Sequence, residues 1–295
     1  MEATGLGALL HSVRYEVLPA RATEEKVLAH LPRDAVVTVT ASPVKGLEPT
    51  LGLATRLSAH GYRVVPHVPA RLLRDEVHLK EVVDRLRAAG VDDVFLPAGD
   101  ADPPAGVYDG ALPVLRALSG LGRPFARVGV TGYPESHPLI HDDLTVQAMW
   151  DKREHATYLV SNLCFDARVL GEWIARIRRR EITLPLHVGV AGPVQRAKLL
   201  SMATKIGVGE STRFLTRHPS WFLRFATPGG YAPEGLLARA EKALTAPAAG
   251  VAGLHLFTFN QIAETEKWRR ALLERLGGGS RPRAEGDRGP RATTG

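Results

Sequence analysis

Short runs of β-branched and apolar residues alternate along the chain with longer stretches in which apolar residues recur every three or four positions. The short runs are VRYEVL (13–18), AVVTVTA (35–41), RVVPHV (63–68), DDVFLPA (92–98), RVGVTG (127–132), TYLVSN (157–162), LPLHVGV (184–190) and AGLHLFTF (252–259). Their length and composition predict strands. The stretches between them predict helices, among them EEKVLAHL, PTLGLATRLSAHG, LKEVVDRLRAAG, DGALPVLRALSG, TVQAMWDKREHA, DARVLGEWIARIRRR and PVQRAKLLSMATKIG. Gly61, Gly90 and Gly120 fall where helix C′ positions should be.

Eight strands, each followed by a helix, predict an α/β protein built as a single-domain (β/α)8 TIM barrel. The barrel is assigned residues 1–276. The segment Val208–Pro233 is longer and more aromatic than a connection needs, so an extra helix or lid is expected there. A doubly wound open sheet is the alternative, but it would call for a glycine-rich turn such as GxGxxG after the first strand, and none is present.

Composition narrows the class. At 44% hydrophobic and 23% charged residues the chain is ordinary for a soluble globular protein. No apolar run approaches the ~20 residues needed to span a bilayer, and the N-terminus lacks a cationic start before its apolar patch, so no secretory signal is read. Cys164, the single cysteine, excludes an internal disulfide and a multi-thiolate metal site and is expected to be a buried packing residue. These features predict a cytosolic protein. The formal charge is +7, of which the segment 277–295, rich in Gly, Arg and Pro, carries +2. That segment cannot build a core and is expected to be disordered. The basic cluster ARIRRREIT (175–183) suits a helix C-terminus, and nothing supports binding of nucleic acid.

In a barrel, side chains at the C-terminal ends of strands form the active site. That rule selects Glu16, Thr38, Thr40, His67, Asp100, Tyr133, His137, Asn162, His187 and Asn260. The stretch VGVTGYPESHP (128–138), stiffened by Pro134 and Pro138, delivers Tyr133, Glu135 and His137 to the mouth. Plainer roles exist for each residue. Asp100 could start a turn, His67 and His187 could be satisfied core histidines, Lys152 could lie on a solvated helix face, and Phe257 could belong to the core. No HxH or HExxH spacing occurs, so no metal site is expected.

The segments YEVLP, VTVTAS, VPHVPAR, LPAGDADPP, GVTGYPESHP, SNLCFDARVLGEWI and LHLFTFN resemble, in order and spacing over roughly residues 11–275, the methylenetetrahydrofolate reductase family. The resemblance implies a (β/α)8 barrel that reduces 5,10-methylenetetrahydrofolate to 5-methyltetrahydrofolate. It places Glu16 and Asp100 as catalytic acids, and Asn162, Phe257 and Asp100 on the folate. It places Thr40, His67, Tyr133, His137 and Lys152 around the flavin or nicotinamide. Ala98 stands where the family has an arginine, and Asn162 where it has a glutamine. The first departure removes a cation and five donors from the flavin region. The resemblance therefore implies a flavin-free oxidoreductase in one-carbon metabolism. NADH, or less readily NADPH, would give hydride to the folate directly. The same reaction through bound FAD, and a non-catalytic folate-binding or accessory subunit, are the alternatives. The chemistry asks for a protonated Glu16 to open a C–N bond and for Asp100 to stabilise the iminium.

Overall fold

The computed structural model describes residues 5–135, 142–194 and 233–278. Eight parallel strands run through it: β1 (Val13–Val17), β2 (Val36–Val39), β3 (Arg63–Pro66), β4 (Asp93–Phe95), β5 (Arg127–Gly132), β6 (Tyr158–Ser161), β7 (Leu186–Ala191) and β8 (Val251–Phe257). Their order is β3-β2-β1-β8-β7-β6-β5-β4. The two ends of that order meet, because His67 and Phe95 form a parallel bridge and Val68 N–H donates to the Phe95 carbonyl at 2.8 Å. The sheet is thereby closed into a (β/α)8 barrel. The observed strands coincide with the expected runs to within a few residues, and β5 matches its run end to end.

The helices are α1 (Leu6–His11), α2 (Thr23–His30), α3 (Glu48–Ala59), α4 (Glu76–Ala88), α5 (Ala111–Gly120), α6 (Asp142–Lys152), α7 (Ala167–Arg179), α8 (Glu234–Thr245) and α9 (Ile262–Gly278). α7 shows why they form. Leu170, Trp173, Ile174 and Ile177 recur at helical spacing and are buried, and Asp166 caps the first turn by accepting from the amides of Arg168 and Val169. Its basic end serves the fold. Arg178 donates to the carbonyls of Ile182, Leu184, Ala249 and Gly250, tying the helix to the turns that enter β7 and β8. α9 continues to Gly278, so the first residues assigned to the tail are helical. Residues 279–295, most of the helix expected over 193–207, and nearly all of the lid expected up to Pro233 lie outside the described residues.

Outward strand side chains such as Val37, Val39, Leu159, Val188 and Leu254 pack with Leu51, Leu57, Val82, Leu86, Val114 and Ile174 into one continuous core. The inward side chains at the N-terminal end of the barrel are polar and paired. Arg14 reaches Asp93 at 3.3 Å, Tyr158 Oη donates to Asp93 at 2.7 Å, and Arg127 lies 3.3 Å from the same carboxylate. The Arg14 guanidinium also sits 4.2 Å from the centre of the Tyr158 ring. Gly129 makes room for that ring, since a Cβ there would lie 2.2 Å from it. This layer plugs one end of the barrel, and the functional chemistry must enter from the other.

Candidate active site at the C-terminal mouth

β1 carries Glu16 one residue from its end, His67 is the first residue past β3, and β8 carries His255 two residues below Phe257. Parallel pairing sets Glu16 opposite Thr38 on one side and opposite Phe257 on the other. Period-2 alternation turns Glu16, His255 and Phe257 inward, and Tyr15 outward to hydrogen-bond Glu266 of α9. The outcome is a compact polar group. His255 Nε2 lies 2.9 Å from Glu16 Oε2, and His67 Nε2 lies 3.9 Å from the same oxygen. Phe95 packs edge-on against His67 at 4.8 Å between ring centroids, and Phe257 against His255 at 4.9 Å.

Burial in this setting governs the protonation states. Burial pushes the Glu16 carboxyl up to about 7, with His67 pulling weakly the other way. Burial lowers His67 to about 4 and His255 to about 3, the latter helped by the positive charge of Arg14 beneath it. At neutral pH both imidazoles are uncharged and Glu16 stands midway between acid and carboxylate. Three polar atoms of this group have no hydrogen-bond partner, His67 Nε2, Thr38 Oγ1 and His255 Nδ1, and all are buried. Glu16, His67 and His255 are also the chemical types that hold metals, with their donor atoms all within 4.8 Å of one another.

The other expected site residues are only partly gathered here. Asp100 lies in the exposed loop past β4, and its charge acts on Tyr133 rather than on Glu16. Burial, and then Asp100, push Tyr133 up to about 12. Glu135, from the proline-stiffened loop, accepts from the Phe165 amide at 2.8 Å and so braces the neighbouring loop. Asn162 Oδ1 accepts from the Leu163 amide. Phe257 packs against the cluster of Leu163, Phe165, Ala191 and Val194. Thr40 is held by its backbone, which donates to Val17 and accepts from Thr50 Oγ1. Asn260 is spent on the backbone of Leu18 and on Thr23. His187 lies one layer down, against the Tyr158 ring. Lys152 ends α6, on the side from which the chain enters β6, where His155 Nδ1 meets Ser119 Oγ of α5 at 2.8 Å. It is therefore at the opposite end of the barrel from Glu16. His137 lies outside the described residues. His255 lies in the segment LHLFTFN but was not selected there as a site residue. The signal that could have found it is the inward alternation of His255 and Phe257 on β8.

Comparison with known proteins bears on the family. No protein-family model matches the chain. Among solved structures it is similar to oxaloacetate acetylhydrolase, with 12% identity, a TM-score of 0.52, and coverage of 93% of this chain and 87% of that one. It also matches 2,3-dimethylmalate lyase, a PEP mutase/isocitrate lyase superfamily member, at 11% identity and a TM-score of 0.49, covering 97% and 90%. At such identities the likeness is one of fold.

The likeness to oxaloacetate acetylhydrolase overturns the resemblance to methylenetetrahydrofolate reductase. The corrections extend to hydride transfer from NADH or NADPH, to the oxidoreductase and one-carbon assignments, to the flavin question, and to methylenetetrahydrofolate and a nicotinamide dinucleotide as partners. The physical reason lies in the motifs themselves. They are strand ends and the loops beside them, and several of their residues serve the fold, as Glu135, Asn162 and Asn260 do here. The supposed cofactor shell is also divided between the two ends of the barrel, with Lys152 far from His67. Among the described residues no helix is long and apolar enough to cross a membrane.

Proposed function

We propose that the chain is a barrel enzyme of the lyase or mutase kind. It would act by proton transfer on a small oxo- or hydroxy-acid, with Glu16 as the group that carries the proton. The observation supporting this is the Glu16–His255 contact at 2.9 Å at the C-terminal mouth, with His67 at 3.9 Å and buried polar atoms left for a ligand to satisfy. A buried polar atom without a partner costs about 1–3 kcal/mol, so a substrate oxygen bonded to Thr38 Oγ1 or His67 Nε2 gains by filling the place. A carboxyl poised near the working pH can both take and return a proton, the condition general acid–base catalysis needs. His255, held neutral, keeps one Glu16 oxygen in place.

The fold-level likeness to oxaloacetate acetylhydrolase turns this proton chemistry toward carbon–carbon bonds in small acids. In such a step the Glu16 carboxylate removes a proton from a substrate hydroxyl, the C–C bond breaks as the oxygen becomes a carbonyl, and the electron pair leaves on an enolate carbon. That carbon takes up a proton afterwards. A cytosolic setting belongs to the same proposal, consistent with Cys164, the sole cysteine, being buried and unpaired.

The test is a panel of oxo- and hydroxy-dicarboxylic acids incubated with the protein in D2O and followed by proton NMR. At least one acid should be cleaved or exchange a C–H for deuterium, and Glu16→Gln should slow this by about 10²–10⁴-fold. If no acid changes, or if Glu16→Gln works at the wild-type rate, the proposal fails.

A further inference from the structure

We propose that Glu16, His67 and His255 form a binding site for one divalent transition-metal ion of the zinc type. The first support is His67. Its side chain is 9% exposed, yet its Nε2 has no hydrogen-bond partner and faces Glu16 Oε2 at 3.9 Å. A buried imidazole nitrogen left unpaired beside a carboxylate is an incomplete arrangement, and a cation between them completes it.

Geometry is the second support. Zinc binds imidazole nitrogen at 2.0–2.1 Å, which in a tetrahedral site sets donor atoms roughly 3.3 Å apart. The observed separations from Glu16 Oε2, 2.9 Å and 3.9 Å, lie on either side of that value, and no donor pair exceeds 4.8 Å. All three donors project from the barrel strands or their immediate ends, so small side-chain adjustments suffice. Two imidazoles with one carboxylate leave a fourth position open, the ligand count of catalytic zinc sites. Magnesium and calcium favour oxygen donors, so the two nitrogens select against them.

Electrostatics are permissive. Arg14 lies one layer below, but its charge is paired with Asp93 at 3.3 Å and does not confront the ion alone. One feature limits affinity. His255 Nδ1 is buried without a partner, whereas ligating histidines ordinarily donate through their second nitrogen. Loss of such support weakens metal binding by about 10–100-fold. A bound ion takes the place of the Glu16 proton, so the metal-holding and proton-carrying forms of the site exclude one another. The inference thus stands apart from the proton-transfer reading, and either can fail without the other.

The experiment uses the full chain, stripped with a chelator and titrated with Zn2+ by calorimetry and with Co2+ by visible absorption. One ion per chain should bind, and Co2+ should give the strong visible bands of tetrahedral nitrogen–oxygen coordination. His67→Gln and His255→Gln should each weaken binding by at least about 10-fold. His60→Gln, at the exposed pair with Glu24, should leave it unchanged. Absence of stoichiometric binding to the wild type, octahedral cobalt bands, or equal binding by the His67 and His255 variants would each overturn the proposal. The cobalt spectrum of the wild type decides even if a variant fails to fold.

Discussion

Glu16 illustrates how a residue's neighbours, rather than its own chemistry, set its behaviour. Its carboxyl is raised from 4.5 to about 7 because folding removes water from it and supplies only neutral partners. A raised pKa means that the folded state binds this proton more tightly than the unfolded chain does. The contribution is therefore most favourable below pH 4.5 and is lost as pH rises through 7. His67 and His255, lowered from 6.5 to about 4 and 3, act in the opposite sense, and their contribution is lost as pH falls below 6.5. Glu16→Gln removes only the first effect. Thermal melts should show the variant equal to wild type near pH 4.5 and more stable at pH 8, by as much as about 3 kcal/mol, or several degrees in Tm. A wild type that is the more stable of the two at pH 8 would contradict the raised carboxyl. At this scale the sequence was half legible. Its place at the C-terminal end of a strand selected Glu16, but the partner that matters most, His255, is 239 positions away and was passed over within LHLFTFN.

At the scale of the element, β-branched runs and helical periodicity located the strands and helices closely, because each such pattern reports one buried face. What the patterns could not show is which inward layer a polar residue joins. His187 read as a mouth residue and Lys152, through the family resemblance, as a cofactor contact, yet one packs beside Tyr158 and the other ends α6. Register across strands decides this, and register is a tertiary property. The plug at the N-terminal end makes it testable. Arg14 and Asp93 are both buried, so Arg14→Met strips Asp93 of its more deeply buried cation and leaves Arg127, which is half exposed. Breaking a buried pair from one side costs about 3–5 kcal/mol, whereas replacing both partners is far milder. Urea unfolding should accordingly find the Arg14→Met/Asp93→Asn double variant more stable than Arg14→Met alone. A double variant no better than the single would mean that Asp93 is not held by Arg14.

The whole molecule was legible as an architecture. Eight strand–helix units closed by the His67–Phe95 bridge make the barrel that the rhythm of the chain announced. Function was not legible in the same way, because barrels of this kind share a frame and differ in their loops and mouths. Loop phrases such as GYPESHP and PAGDADPP suggested a folate reductase. The folded chain uses residues of the first and of neighbouring loops to brace its own backbone, and gathers its chemistry from β1, β3 and β8 instead. That mouth holds Glu16 among His67, His255 and Phe257 above the paired plug, with 15% of its side chain exposed. The most direct measurement is a carboxyl carbon-13 NMR titration of the 13C-Glu-labelled chain, with Glu16→Gln identifying the resonance. A midpoint about 7 is predicted. A midpoint at the ordinary glutamate value, near 4.5, would contradict the account.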